Sequence, residues 1–199
     1  MTDFLRIIVG GQSEYDSIPR FIDRYCAFKN THIDTEPYRT SEGKLKIREK
    51  LVNEISIVIR KYGAGPVLVL FDANDRICPK EFVEENVDAV NSEFPGIPVF
   101  IVIAKWETET WFVPAIESLR GVHEIPSDVT LCEDILSRLE ELDPKSYISR
   151  LMGRKYKETY DQPAFMDAFD YTKVGEHSRS FRKFTDTLDE LIALFTDPN

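Results

Sequence analysis

The stretch PVLVLFD, residues 66–72, decides the fold. It is a continuous apolar run of strand length, without the apolar–polar alternation of a strand that has one face in water. Such a run reads as a central parallel strand buried on both faces. Upstream, LRIIVG (5–10) is a second β-rich run, and downstream IPVFIVIAKWE (97–107) is a third. Helical spacing fills the intervals. SIPRFIDRYCAF (17–28) places Ile18, Phe21, Ile22 and Tyr25 on one face, and KLKIREKLVNEISIVIRKYG (44–63) aligns Leu45, Leu51, Val52, Ile55 and Ile59, with the alkyl stem of Arg48 covering that face and Gly63 closing the helix. PKEFVEENVDAVNSEF (79–94) starts a helix at Pro79, a favoured first-turn position. TETWFVPAIESLR predicts a helix interrupted or restarted at Pro114, and the polar NTHIDTEPYRTS holds at most a short strand. Alternating strand and helix predict an α/β fold, a parallel sheet with helices on both faces. Beyond residue 126 the patterns are helical only, so residues 1–126 are expected to form the α/β domain and 127–199 a helical C-terminal extension packed on it.

Composition narrows the function. The 199 residues are 42% hydrophobic, enough for a real core. Acidic residues outnumber basic ones, 35 to 25, for a formal charge of -10. That balance excludes a general electrostatic grip on nucleic acid, so any such contact is local or bridged by metal. Three scattered cysteines, Cys26, Cys78 and Cys132, suit a reducing compartment; the stretch MTDFLRIIVGG lacks the basic flank and long apolar region of a signal peptide, and the longest apolar runs, VLVLF and VFIVIA, are too short to span a bilayer. A soluble, cytoplasmic protein is the expectation.

Each of the three predicted strands leads into oxygen-bearing side chains. IIVGGQSE ends in Gly10 and Gly11, then Gln12, Ser13 and Glu14; VLVLFDANDRICP ends in Asp72, Asn74 and Asp75; IVIAKWETETW ends in Glu107 and Glu109. In a parallel sheet these ends share one rim, with strands roughly 4.8 Å apart. Crowded carboxylates repel, and relief comes from a raised pKa or a bound hard cation. An all-oxygen donor set suits Mg2+ or Mn2+ rather than zinc. The plainer alternative is that acids follow strands because the chain is returning to water. For Ser13 a helix N-cap, with Asp16 in the first turn, is equally open.

The strings IIVGGQSE, GKLKIREKL, VLVLFDANDRICP, VFIVIAKWETETWF, DPKSYISRLM, YKETYDQPAF and SRSFRKF, in that order and spacing, resemble the Toprim-like proteins of domain-of-unknown-function family 4276, bacterial proteins often encoded beside ABC-type ATPases. The resemblance covers nearly the whole chain. It implies a Toprim/Rossmann-like fold related to the overcoming-lysogenisation-defect nucleases, and magnesium-dependent cutting of nucleic acid. It also implies catalytic roles for Glu14, Asp72, Asp75, Glu107, Glu109 and Lys145, with Glu14, Asp72, Asn74 and Asp75 as the metal set. Gly10, Gly11 and Gln12 would approach the cofactor, the glycines by letting the backbone turn sharply. Lys145, Lys157 and Ser180 match recurring positions and are expected to touch nucleic acid. Two positions depart from the pattern: relatives read VEGQTE in the first motif, with Glu where this chain has Gly10, and Asp-x-Asp in the second, where this chain has Asn74.

Other constellations are weaker. Gly11-x-Ser13 half resembles a nucleophile elbow, but Tyr15 stands where the second glycine is needed. His32, His123 and His177 lie in polar, loop-like stretches with no partner pattern, and no GxxxxGK exists. Basic residues gather between Lys145 and Lys183, interleaved with Tyr147, Tyr156, Tyr160 and Phe181, as a nucleic-acid groove or as a solvated helical face. Trp106 and Trp111 flank the two glutamates and are expected to pack in the core. Two functions follow: a Mg-dependent Toprim-type nuclease working with an ABC-type ATPase in anti-phage defence, or a Toprim-shaped subunit with decayed acids that binds or regulates that ATPase.

Overall fold

A computed structural model describes residues 4–74 and 77–196. Four strands, β1 (Phe4–Val9), β2 (Asp34–Arg39), β3 (Val67–Asp72) and β4 (Val99–Ala104), pair in parallel in the order β2-β1-β3-β4. The expected α/β sheet is therefore present, with one more strand than the apolar runs announce. β2 is the polar segment DTEPYR; it lies on the sheet edge, half-exposed, and pairs only with β1. Pro37, opposite Ile7, is tolerated there because an edge strand leaves one side without ladder bonds.

Helices cover both faces. On one face α3 (Arg48–Tyr62) and α4 (Pro79–Glu93) pack Leu51, Ile55, Val58, Phe82 and Val90 against Ile8, Val67, Val69, Phe71 and Ile101. Leu51, Ile55 and Val58 follow at i, i+4 and i+7, which is one helix face. On the other face α1 (Gln12–Phe28) and α9 (Arg179–Thr196) meet Ile7, Val9, Leu68, Leu70 and Val102. Phe21, Phe169, Phe181, Phe184 and Trp111 form an aromatic cluster there, with Trp111 and Phe184 stacked at 5.2 Å between ring centroids. Trp111 is completely buried, as expected, whereas Trp106 is only half-buried. Between these elements lie α2 (Glu42–Leu45), α5 (Glu133–Ser137), α6 (Pro144–Met152), α7 (Glu158–Ala168) and α8 (Val174–His177). α7 packs against α1 and α9 against β4, so the C-terminal helices share the core of the sheet.

Several local expectations are corrected. The helix expected over 44–63 breaks at Lys46 and Ile47, where Ile47 is extended, leaving α2 as a separate turn. Arg48 does not cover the apolar face; it is exposed and its guanidinium donates to Asn86 Oδ1 at 2.7 Å and to the Glu85 carbonyl. The segment around Pro114 forms two 3-10 turns, Thr108–Phe112 and Ile116–Leu119, rather than a helix. α1 begins at Gln12 with Gly11 as its N-cap, so Ser13 lies inside the helix and does not cap it.

Candidate functional site

The sheet order creates the site. From β1 the chain passes to β2 on one side, then returns to β3 on the other, so the connections leaving β1 and β3 diverge at their carboxyl ends. Open parallel sheets bind ligands in the crevice at such a switch point. A cavity of about 330 Å³ occupies this place, lined by Gly10 to Glu14 after β1 and by Asp72 and Asn74 after β3. Glu42, Glu107, Lys145 and Glu158 complete its polar wall.

Glu14 is 8% exposed in the first turn of α1, and its Oε1 accepts three hydrogen bonds: from Ser13 Oγ at 3.2 Å, Gln162 Nε2 at 3.2 Å and Thr108 Oγ1 at 3.4 Å. Asp72 ends β3, and its Oδ1 accepts the Thr108 backbone N–H at 3.0 Å. Removal from water, then the neighbouring charges of Glu14, Glu109 and Glu42, push the Asp72 carboxyl well above the usual carboxylate range; Lys145 opposes this. Glu109 lies behind the cavity wall, 1% exposed, with neither carboxylate oxygen hydrogen-bonded. Burial raises it to about 8, against the pull of Lys145 and with the help of Glu14 and Glu107.

Lys145, near the start of α6, is the cation of the site. Its Nζ lies 3.0 Å from Glu107 Oε1, 2.9 Å from Glu158 Oε1 and 3.8 Å from Glu109 Oε1. Burial would lower its ammonium, but Glu109, Glu158 and Glu107 together hold it above its ordinary value.

The glycines are needed for space rather than for a turn. Neither Gly10 nor Gly11 has positive φ. A Cβ on Gly11 would stand 2.2 Å from Glu14 Oε2, and one on Gly10 would stand 3.0 Å from both Cβ and Cγ of Glu42. The bare backbone thus lets two carboxylates from different elements close over the strand end. Glu42, on α2, is bonded to Lys46 and to the Asn74 amide. Asn74 adopts a left-handed backbone (φ 49°), a conformation asparagine tolerates better than most residues, and its N–H donates to the Trp106 carbonyl at 3.0 Å.

The expected site residues divide. Gly10, Gly11, Gln12, Glu14, Asp72, Asn74, Glu107 and Lys145 come together around the cavity, with Glu109 buried beside them. Asp75 lies outside the described residues. Lys157 is exposed, its backbone N–H donating to Asp161 Oδ2 at 2.7 Å, and it does not line the cavity. Ser180 accepts the indole N–H of Trp111 at 3.1 Å, which ties it to the aromatic cluster rather than to the cavity. His123 is not a plain surface histidine: its Nδ1 stands 2.6 Å from buried Asp161, its ring stacks on Tyr160, and Arg154 donates two bonds to the same carboxylate.

Sequence reading missed Glu42, Thr108, Glu158 and Gln162. Glu42 follows β2, so it obeys the same rim rule as the other acids and would be found once DTEPYR is read as a strand. Gln162 follows Asp161 on α7, and nothing in its local pattern marks a side chain aimed at Glu14. Among the described residues no three His, Cys, Asp or Glu side chains are grouped to hold a metal ion by themselves. Magnesium usually takes one or two carboxylates and fills its remaining positions with water and substrate oxygens. The cavity's oxygen donors, Asp72, Glu14 and the Asn74 amide, fit that pattern, and the space Gly11 leaves for Glu14 Oε2 fits it too.

Among the described residues no helix is long and apolar enough to cross a membrane. The family model for a domain of unknown function, DUF4276, matches residues 9–189. No curated protein and no solved structure matches the chain.

Proposed function

The chain belongs to the DUF4276 family, and from that premise we propose that it is a Toprim-type, Mg-dependent phosphodiesterase acting on nucleic acid. The observation that carries the reading is the meeting of Asp72, Glu14 and Glu109 at the switch point of the sheet, close enough that each of the other two raises the Asp72 carboxyl. Such crowding costs stability in the free protein, and a divalent cation relieves it. Glu14 and Asp72, with the Asn74 carbonyl oxygen, are the groups that would hold Mg2+ or Mn2+. When bound, the ion supplies Lewis-acid polarisation of a phosphoryl oxygen and an activated water. Thr108 orients both carboxylates, through its N–H to Asp72 and its hydroxyl to Glu14. Lys145 lines the cavity beside the metal set, where its ion pairs with Glu107 and Glu158 hold it in place.

The ABC-type ATPase partner and the anti-phage setting rest on the resemblance to Toprim-like proteins. The test is cleavage of DNA and RNA with Mg2+ or Mn2+, by the chain alone and with the neighbouring ATPase. Activity that disappears in Asp72→Ala supports the reading; no cleavage under any of these conditions removes it.

A second reading is favoured by Lys145, which already neutralises Glu107 and Glu158, and by the side-chain-free Gly10. In it the chain is a non-cutting subunit that binds or restrains the ATPase. Full defence activity in an Asp72→Ala strain, with the ATPase recovered on the tagged chain, would support it.

A further inference from the structure

A second cleft, of about 490 Å³, opens beside the acidic cavity and shares two of its wall residues, Lys145 and Glu158. Its other walls have the opposite character. Arg150 projects from α6 and Lys155 from the loop after it, while Ser149 and Tyr156 form the floor. The loop is held in one shape. Gly153 closes α6 in the left-handed conformation (φ 66°), and the Tyr156 N–H donates to Ser149 Oγ at 2.9 Å, whose hydroxyl in turn donates to the Lys145 carbonyl at 2.6 Å. Tyr156 is 4% exposed, so the floor is a fixed aromatic wall.

The cations of this region are used very differently. Arg154 is consumed by Asp161 and Glu124, and Lys145 by its three glutamates. Arg150 and Lys155 are exposed, and among the described residues no carboxylate pairs with either. Two cations without a carboxylate partner thus share one shaped cleft that adjoins the acidic cavity, in a chain of formal charge -10. A long side chain left unpaired amid so many acids keeps its charge available to an external anion.

We propose that this cleft is the strand-binding subsite for a nucleic-acid backbone, with Arg150 and Lys155 taking phosphates adjacent to the one seated in the acidic cavity, and Lys145 marking the junction. Its direction rests on the reading of the acidic cavity as the cutting site; its binding does not. The ligand class is a phosphodiester chain, DNA or RNA, recognised by charge and by the span across the two clefts rather than by base identity. Contacts of this kind are sequence-independent and salt-sensitive, each phosphate neutralised adding about 0.7 to 0.9 to the slope of log K against log salt.

The experiment is fluorescence anisotropy of a labelled single-stranded oligonucleotide with the full chain in EDTA, so that binding is read without cleavage. R150A/K155A is compared with K50A/K80A, which removes two exposed cations from α3 and α4. Thermal melting verifies that both fold. The expected result is a Kd about tenfold weaker in R150A/K155A, with the salt slope smaller by about 1.4 for a single strand, and little change in K50A/K80A. Equal losses in both variants, or no binding by the wild type, overturn the proposal. Hydrolysis of bis-(p-nitrophenyl) phosphate with Mn2+ separates the two readings, because this small diester needs only the acidic cavity. If it is cleaved while R150A/K155A binds the strand like the wild type, the subsite fails and the phosphodiesterase stands. If the strand binds through Arg150 and Lys155 and neither substrate is cut, the subsite stands and the phosphodiesterase fails.

Discussion

The backbone N–H of Thr108 donates to Asp72 Oδ1 at 3.0 Å, binding the turn after β4 to the end of β3. The same residue's hydroxyl reaches Glu14 Oε1 at 3.4 Å, so one residue sets two carboxylates that repel each other. Asp72→Asn keeps the shape and the acceptor for Thr108 but removes the charge. Two opposite effects are expected in one protein: metal-dependent cleavage falls by about 100-fold or more, as for loss of a group that holds the catalytic charge, while the melting temperature rises because the crowding is relieved. Calorimetry and a cleavage assay on the same preparation read both. A drop in both would mean that Asp72 is a structural acid.

Gly11 is tested by the smallest substitution. An alanine Cβ would sit 2.2 Å from Glu14 Oε2, and no real contact is that short, so the carboxylate must swing away. Gly11→Ala is expected to weaken Mn2+ binding, read by electron paramagnetic resonance, about tenfold or more, with little loss of stability, because only the far end of the Glu14 side chain must move. Unchanged Mn2+ affinity would show that Glu14 Oε2 takes no part in holding the ion.

How much of this was legible in the sequence follows from where the physics is local. PVLVLFD and VFIVIA announce buried strands because both faces are apolar, and the acids after them fall on one rim because parallel strands end together. DTEPYR announced at most a short strand, since this edge strand is half in water and carries a proline, and Glu42 after it was missed. The need for glycine at 10 and 11 was visible, but its cause was not: it depends on side chains that arrive from α1 and α2. Lys145 and Glu107 were expected in one site, and they form an ion pair at 3.0 Å. Gln162, brought to Glu14 from 148 positions away, leaves no local trace.

Asp161 is fully buried and is held by the Arg154 guanidinium, the Lys157 N–H and His123. Burial alone would push its carboxyl up, but these partners outweigh it and hold it below the usual range. A depressed carboxyl stabilises the fold above its unfolded value near 3.8, and that contribution is lost as pH falls through the folded value. Asp161→Ala leaves Arg154 with Glu124 alone and removes the acceptor of the Lys157 N–H and the partner of His123, with an expected cost of about 1–3 kcal/mol in urea unfolding at pH 7. A cost under about 1 kcal/mol would place this network among surface ion pairs of little consequence.

Glu109 predicts the opposite pH sign. Its folded carboxyl titrates at about 8, while the unfolded one titrates near 4.5, so between these values the native state binds the extra proton. Stability therefore falls as pH rises from about 4.5 to about 8 and levels off above it, because folding then buries a charge that the unfolded chain exposes freely. Glu109→Gln removes the titration and keeps the volume. The variant is expected to melt higher than the wild type at pH 8.5, to match it more closely at pH 5, and to show a shallower downward slope between them, the remainder coming from Asp72. Melting curves at half-unit pH steps in EDTA measure this directly. Parallel wild-type and variant profiles across the window would mean that Lys145, 3.8 Å away, already satisfies the carboxylate in full.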